Sequence, residues 1–205
     1  MNLYPEFFKR VDERPDELFY QEPRFVTHID EGAQRAAYRW YSDLLPRGGH
    51  VLDLMSSYRS HLPGDLGQVV GLGLNQAELD ANPSLSQGIV YDLNRQADLP
   101  FASSHFDGVV CTVSVQYMTR PDDTFKAVAR VLKPGAPFAV TFSNRMFPTK
   151  AVLAWRASDD AAHIRLVKSY FENASLFGET ETRFHTPENG DPLYSVIARK
   201  RNDLN

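Results

Sequence analysis

The sequence predicts an α/β fold: a doubly wound, mostly parallel seven-stranded sheet with an antiparallel last strand. Three observations predict it. Apolar, β-branched runs of strand length alternate with helix-period segments over residues 29–142, the pattern of parallel strands joined by crossover helices. The stretch from Leu99 to Phe142 reads strand, helix, turn, strand in a single pass. Two strand-like runs at the end, 177–186 and 192–200, follow one another with no helix between them and read as an antiparallel pair. A chain of 205 residues that is 42% hydrophobic can bury one good core, so a single domain over 1–205 is expected. It divides into an N-terminal helical segment (1–45), a core (50–142) and a C-terminal helix with a strand pair (143–205).

Each element has its own signal. Residues 1–28 are mixed and aromatic-rich, and 29–45 read as a helix. HVLDLM (50–55) and QVVGLGL (68–74) are strands, NQAELDAN (75–82) is a short helix ended by Pro83, and GIVYDL (88–93) is a third strand. FDGVVCTVSVQ (106–116) is the fourth. PDDTFKAVARVL (121–132) opens with Pro and two acids and carries an apolar stripe at Phe125, Val128, Ala129 and Leu132. LKPG stops that helix, and PFAVTF (137–142) is the fifth strand. A connector with a helix follows over 143–158. Then comes a helix with Ser158 as N-cap, Asp159 and Asp160 in its first turn, and Ile164, Val167, Tyr170 and Phe171 on its apolar face.

Composition removes several function classes. The net charge is −4, with acids and bases mixed along the chain and no basic run long enough to track phosphates, which argues against a nucleic-acid partner. The longest apolar runs are strand-length, so no membrane span is expected. The N-terminal residues are charged throughout and do not read as a signal peptide. The single cysteine, Cys111, cannot form an internal disulfide and sits in a predicted buried strand, which fits a reducing cytoplasm and a packing role. No histidine or cysteine spacing matches a metal site, so no metal is predicted. A nucleophile elbow and a phosphate-binding loop are both absent. The GLG of 71–73 begins like a dinucleotide fingerprint, but Gln76 stands at the third glycine.

In doubly wound sheets the ligand lies outside the carboxyl ends of the strands, at the switch point of strand order. The strand ends here are VLDLMSSYRSHLP, VVGLGLNQAEL, YDLNRQADLPF, CTVSVQYM and TFSNRMFP. Together with LPF-x4-FD (Leu99 to Asp107) and LKPG (Leu132 to Gly135), they resemble the core of class I S-adenosylmethionine-dependent methyltransferases, of the methyltransferase type 11-like kind. Ala136 stands where that family's LKPGG has its last glycine. The resemblance implies a Rossmann-like methyltransferase fold, S-adenosylmethionine as cofactor and S-adenosylhomocysteine as product. It covers Val51 to Phe142 by motif. The family's D-x-G-x-G loop is departed from: Asp53 is kept, but Met55, Ser57 and Arg59 replace glycines. In this the chain is similar to a subgroup carrying DLMSS-x2-SHLP. Gly73 stands where the family places an acid on the ribose, and Asn75 is the nearest replacement.

By that resemblance the cofactor-binding candidates are Asp53, Met55, Ser56, Ser57, Asn75, Asp92, Leu93, Asn94 and Ser114. Asp92 would accept from the adenine amino group, or else cap a turn through its own backbone. Arg59 would pair with the ligand carboxylate. Ser114, Gln116 and Tyr117 would line the methyl-donor side, and Asn144 and Arg145, after Ser143, would meet the acceptor. The leading segment would act as a lid, with Tyr20 or Arg24 reaching the cofactor carboxylate. Candidate catalytic groups are His28, His61 and Tyr117. Substrate-binding candidates are Tyr117, Asn144, Arg145 and Trp155, with Phe7, Phe8, Tyr20 and Phe147 as further apolar wall. The expected activity is a cytoplasmic methyltransferase, monomer or homodimer, acting on a small-molecule acceptor. The alternative is a catalytically silent S-adenosylmethionine- or nucleotide-binding regulatory protein that keeps the fold.

Overall fold

The computed structural model describes residues 5–202; the first four residues of the predicted lid segment and the last three of the C-terminal one lie outside the described residues. A 3-10 turn at Pro5–Phe8 is followed by α1 (Asp16–Phe19) and α2 (Glu31–Leu44). Then come β1 (His50–Leu54), β2 (Gln68–Gly73), α3 (Gln76–Asp80), β3 (Gln87–Val90) and β4 (Gly108–Thr112). The chain continues through α4 (Pro121–Val131), β5 (Pro137–Phe142), α5 (Leu153–Arg156), α6 (Asp160–Ala174), β6 (Glu181–His185) and β7 (Leu193–Arg199).

All seven strands form one sheet of order β3-β2-β1-β4-β5-β7-β6. The first five are mutually parallel, and β7 runs antiparallel to both β5 and β6. The order reverses between β1 and β4, which places the switch point at the carboxyl ends of Leu54 and Thr112. Two apolar layers cover the sheet. One, on α4 and α6, packs Phe125, Phe171 and Phe138 edge to face. The other packs α2 through Ala33, Ala37 and Tyr41 against Val51, Val110 and Ala139. Small alanines on α2 let the helix approach the sheet closely. Central strands buried on both faces account for their unbroken apolar runs.

Several boundaries differ from the sequence reading: β3 ends at Val90 rather than Leu93, and β6 is confined to Glu181–His185. The fourth strand stops at Thr112, because Val113 adopts a left-handed φ of 52° and Val115–Tyr117 curl into a 3-10 turn. Helix α6 starts at Asp160 with Asp159, not Ser158, as the cap: its carboxylate accepts from Ala162 N at 2.8 Å.

Candidate active site

The carboxyl ends of β1, β2, β3 and β4, roofed by residues 20–29, enclose one cleft. Its first wall is the loop after β1. Met55 takes φ 53° and His61 φ 53°, the left-handed conformation that glycine adopts freely. Met55 thus keeps the backbone shape of a loop glycine without being one. Asp53 is buried and anchors the loop: its Oδ2 accepts from Ser56 Oγ (2.6 Å) and Ser60 Oγ (2.7 Å). Burial pushes its pKa up to about 6, although the two serine hydroxyls favour the carboxylate.

This loop folds across the end of β2. Ser56 N donates to Leu72 O at 2.7 Å, and a Cβ built on Gly73 would lie 2.3 Å from Ser56 O. No side chain fits at position 73, which explains physically why an acid is missing there. Helix α3 does put a carboxylate on the cleft wall. Glu78, which sequence reasoning missed, is buried on the cleft wall; its Oε1 accepts from Arg24 N (2.7 Å) and its Oε2 from Ser57 Oγ (2.6 Å). The available signal was Asn75-x-x-Glu78, a cap followed three residues on by an acid.

Asn75 does not point a free amide at the cleft. Its Oδ1 caps α3 by accepting from Glu78 N (3.2 Å), and its Nδ2 donates to Tyr20 O and Gln21 O. Asn94 is similarly occupied: Nδ2 donates to Asp16 Oδ2 and Tyr117 O, while Oδ1 accepts from Thr119. Both residues line the cleft but serve to hold neighbouring segments. Asp92 caps the turn after β3, its Oδ1 accepting from Asn94 N (2.9 Å), and burial raises its pKa. Leu93 and Tyr91 supply apolar wall beside it. Ser114 Oγ ties the β4 end to the loop through Thr112 O (2.8 Å) and Met55 O (3.3 Å).

The roof carries Tyr20, Arg24 and His28. The Arg24 guanidinium lies 4.5 Å from the Phe19 ring centroid and 5.5 Å from that of Phe147, and Nη2 donates to Phe19 O. Its Nη1 is buried without a hydrogen-bond partner among the described residues. Burial lowers the pKa of His28, and burial with Arg59 lowers that of His61 to about 4, so both are neutral imidazoles at pH 7. Tyr117 accepts from Phe147 N at 2.8 Å and stays a phenol, its pKa raised by burial.

Four expectations need correction. Trp155 is 1% exposed in the core, stacked on His163 at 3.9 Å, and reaches no part of the cleft. Gln116 is fully buried behind the cleft and donates to Val113 O and Arg145 O. Asn144 is exposed beyond β5 and lines neither the cleft nor the smaller cavity next to it. Phe8 packs on Tyr170, and neither it nor Phe7 reaches the cleft. Arg145 lines that adjoining cavity, and Phe147 is shared by both. Among the described residues no group of three or more His, Cys, Asp or Glu is placed to hold a metal ion, and no helix is long and apolar enough to cross a membrane.

The cleft offers a buried guanidinium nitrogen on Arg24 that has no partner among the described residues, the exposed guanidinium of Arg59 lying 5.4 Å from the Tyr58 ring centroid, the carboxylates of Glu78 and Asp92, and a stretch of apolar wall. That suits a ligand with an anionic end, hydroxyls and a flat apolar ring. It suits a pyrophosphate poorly, because the helix after β2 is five residues long and its first turn is already capped by Asn75.

A family model described as a methyltransferase domain matches residues 49–140. The ubiquinone/menaquinone biosynthesis C-methyltransferase UbiE of Pseudomonas fluorescens (strain Pf0-1) is 32% identical over 119 residues, 52% of this chain and 46% of that protein. The biotin biosynthesis bifunctional protein BioHC of Teredinibacter turnerae is 32% identical over 98 residues, 45% of this chain and 17% of that protein. The chain therefore spans less than half the length of these relatives. Among solved structures, the [4+2]-cyclase SpnF aligns with a TM-score of 0.62 at 15% identity, over 90% of both chains. A phosphoethanolamine N-methyltransferase 2 of Haemonchus contortus, in complex with S-adenosyl-L-methionine, aligns at 0.58 and 14% identity, over 82% of this chain and 52% of that one. At such identities these two show the fold alone.

Proposed function

We infer, from a chain whose residues 49–140 match a methyltransferase-domain model, that the cleft binds S-adenosylmethionine and that the protein methylates a small-molecule acceptor. One observation carries this reading: the Nη1 of Arg24, buried without a partner among the described residues, in a cleft that also carries the carboxylates of Glu78 and Asp92. Arg24 would receive the carboxylate of the amino-acid end, Glu78 with Ser57 would face the sugar hydroxyls, and Leu93, Tyr91 and Asp92 would border the base. When bound, the cofactor supplies a methyl carbon whose bond to sulfur breaks with its electron pair moving to sulfur, as the acceptor's lone pair forms the new bond.

The protein's own contribution is positioning. The Met55–His61 loop and the roof exclude water and fix the donor, and acceptor and methyl must be held about 3–3.5 Å apart in line. His28, which lines both cavities as a neutral imidazole, would take the proton an acceptor hydroxyl or amine releases. The silent-binder alternative has one observation in its favour, the loop lying over Gly73.

The test is calorimetric titration with S-adenosylmethionine, S-adenosylhomocysteine and NAD in parallel. Micromolar binding of the first two and none of NAD is expected, with Arg24→Gln weakening it by about tenfold or more. Binding of NAD alone, or of none of the three, would overturn the reading.

A further inference from the structure

Beside the cleft lies a second cavity, divided from it by Tyr117, Phe147, His28 and Val113, which line both. Its walls are apolar where it meets the cleft: the Tyr117 and Phe147 rings stack at 6.0 Å and 26°, and His28 stands edge-on to Phe147 at 5.2 Å. Its far side is polar and assembled from three distant parts of the chain, Asp30, Arg145 and Asp191.

Every carboxylate oxygen there has a donor. Asp30 Oδ1 accepts from Ala33 N (2.9 Å) and Oδ2 from Asp191 N (2.7 Å). Asp191 Oδ2 accepts from Asp30 N (2.9 Å) and Oδ1 from Arg145 Nε (2.7 Å). The reciprocal Asp30–Asp191 pair depends on Gly190, at φ 123°, where a Cβ would lie 2.5 Å from Asp30 Oδ2. Asp191 is thereby fixed, its side chain only 10% exposed, and it fixes Arg145 in turn. The remaining open valences belong to Arg145. Its Nη1 and Nη2 have no partner among the described residues, and the side chain is 62% exposed. A guanidinium oriented through Nε, with its other nitrogens open, is a fork shaped for a carboxylate or phosphate.

We propose that this cavity is the acceptor subsite, and that the acceptor has an apolar, ring-sized body against Phe147 and Tyr117 and an anionic group held by Nη1 and Nη2 of Arg145. The assignment of the cavity to an acceptor rests on the methyl-transfer reading; the anion site does not.

The test uses benzoate, phenyl phosphate and neutral benzamide as probes. Each is titrated into the protein with and without S-adenosylhomocysteine, while the backbone amide resonances of Thr27, Met146 and Asp191 are followed. Saturable shifts from benzoate or phenyl phosphate are expected at millimolar concentration, with benzamide much weaker. The better anion identifies the carboxylate or phosphate class. Arg145→Gln should weaken anion binding about tenfold, and Arg145→Lys less, because it keeps the charge and loses the fork. Binding of S-adenosylhomocysteine should stay within about twofold in both variants. Benzamide binding as well as the anions, no shift from either anion, or unchanged anion affinity in Arg145→Gln would each overturn the proposal. So would a loss of S-adenosylhomocysteine binding in that variant. Anion binding that depends on Arg145, in a protein that binds no S-adenosylhomocysteine, would keep the anion site and sink the methyl-transfer reading.

Discussion

Met55 holds the β1 loop in a left-handed turn at φ 53°, where a Cβ is a burden. Met55→Gly should therefore be more stable than Met55→Ala by about 1 kcal/mol, the reverse of the usual order at a helical or extended position; urea unfolding of the two variants decides it. Gly73 makes the complementary case. Gly73→Asp supplies the acid that the family resemblance leads one to want, yet its Cβ would meet Ser56 O. It should cost about 1–3 kcal/mol and leave S-adenosylhomocysteine binding no tighter. Tighter binding in that variant would show that the loop is not fixed over β2. Asp53 gives a pH signature. Its folded pKa of about 6 lies above that of an unfolded carboxylate, so between about pH 4 and pH 6 the native state holds a proton that the unfolded chain has released. Its contribution falls as pH rises through that window, by roughly 2–3 kcal/mol, and is constant above pH 7. The stability difference between wild type and Asp53→Asn should fall across that window; a flat difference would refute the shift. The sequence showed Asp53, the serines and the lost glycines, but not that Met55 keeps a glycine's backbone shape. A φ value is set by the loop's path, and side-chain identity only weights it.

At the scale of elements, residues 9–28 form a strap across the cleft. One end is held by a buried ion cluster that no local pattern announces. Lys150 is 1% exposed and lies 3.0 Å from Asp16 Oδ1, Asp16 is 4% exposed, and Arg10 Nη1 bonds both Asp16 oxygens at 2.6 and 2.8 Å. Lys150 Nζ also donates to Arg14 O at 2.8 Å, and Asp12 N donates to Thr149 O. The other end hangs on Asn75 and Glu78. Lys150→Ala leaves Asp16 short of a buried partner and should cost about 3–5 kcal/mol. Hydrogen exchange should quicken at the amides of Asp12 and Leu153, which bond Thr149 O and Lys9 O, while β4 and β5 amides keep their protection. Equal loss across the sheet would mean the strap is no separate unit. Helices and strands were legible because periodicity is local: α2, α4 and β5 lie within a residue or two of their expected ends. The strap was legible only as a lid, because Lys150 and Asp16 meet across more than a hundred residues. Trp155 was misplaced for the same reason, since an aromatic after a connector gives no sign of which face it will bury.

For the whole molecule, strand order is what turns scattered strand ends into a site. The sequence rule that ligands lie beyond the carboxyl ends of such strands brought Asp53, Asp92, Ser114 and Tyr117 to one cleft. It could not show that Asn75 and Asn94 use their amides to hold the roof, nor that Glu78 reaches in from α3, because those depend on side-chain direction across elements. The central claim is that this cleft holds an adenosyl amino acid between the β1 loop and the strap. The measurement that tests it most directly is a crystal structure grown with S-adenosylhomocysteine. The account predicts its carboxylate on Arg24, its sugar beside Glu78 and Ser57, and its base against Leu93 and Asp92. Ligand density elsewhere, or a cleft that stays without density at saturating ligand while Arg24 Nη1 remains unpaired, would contradict it.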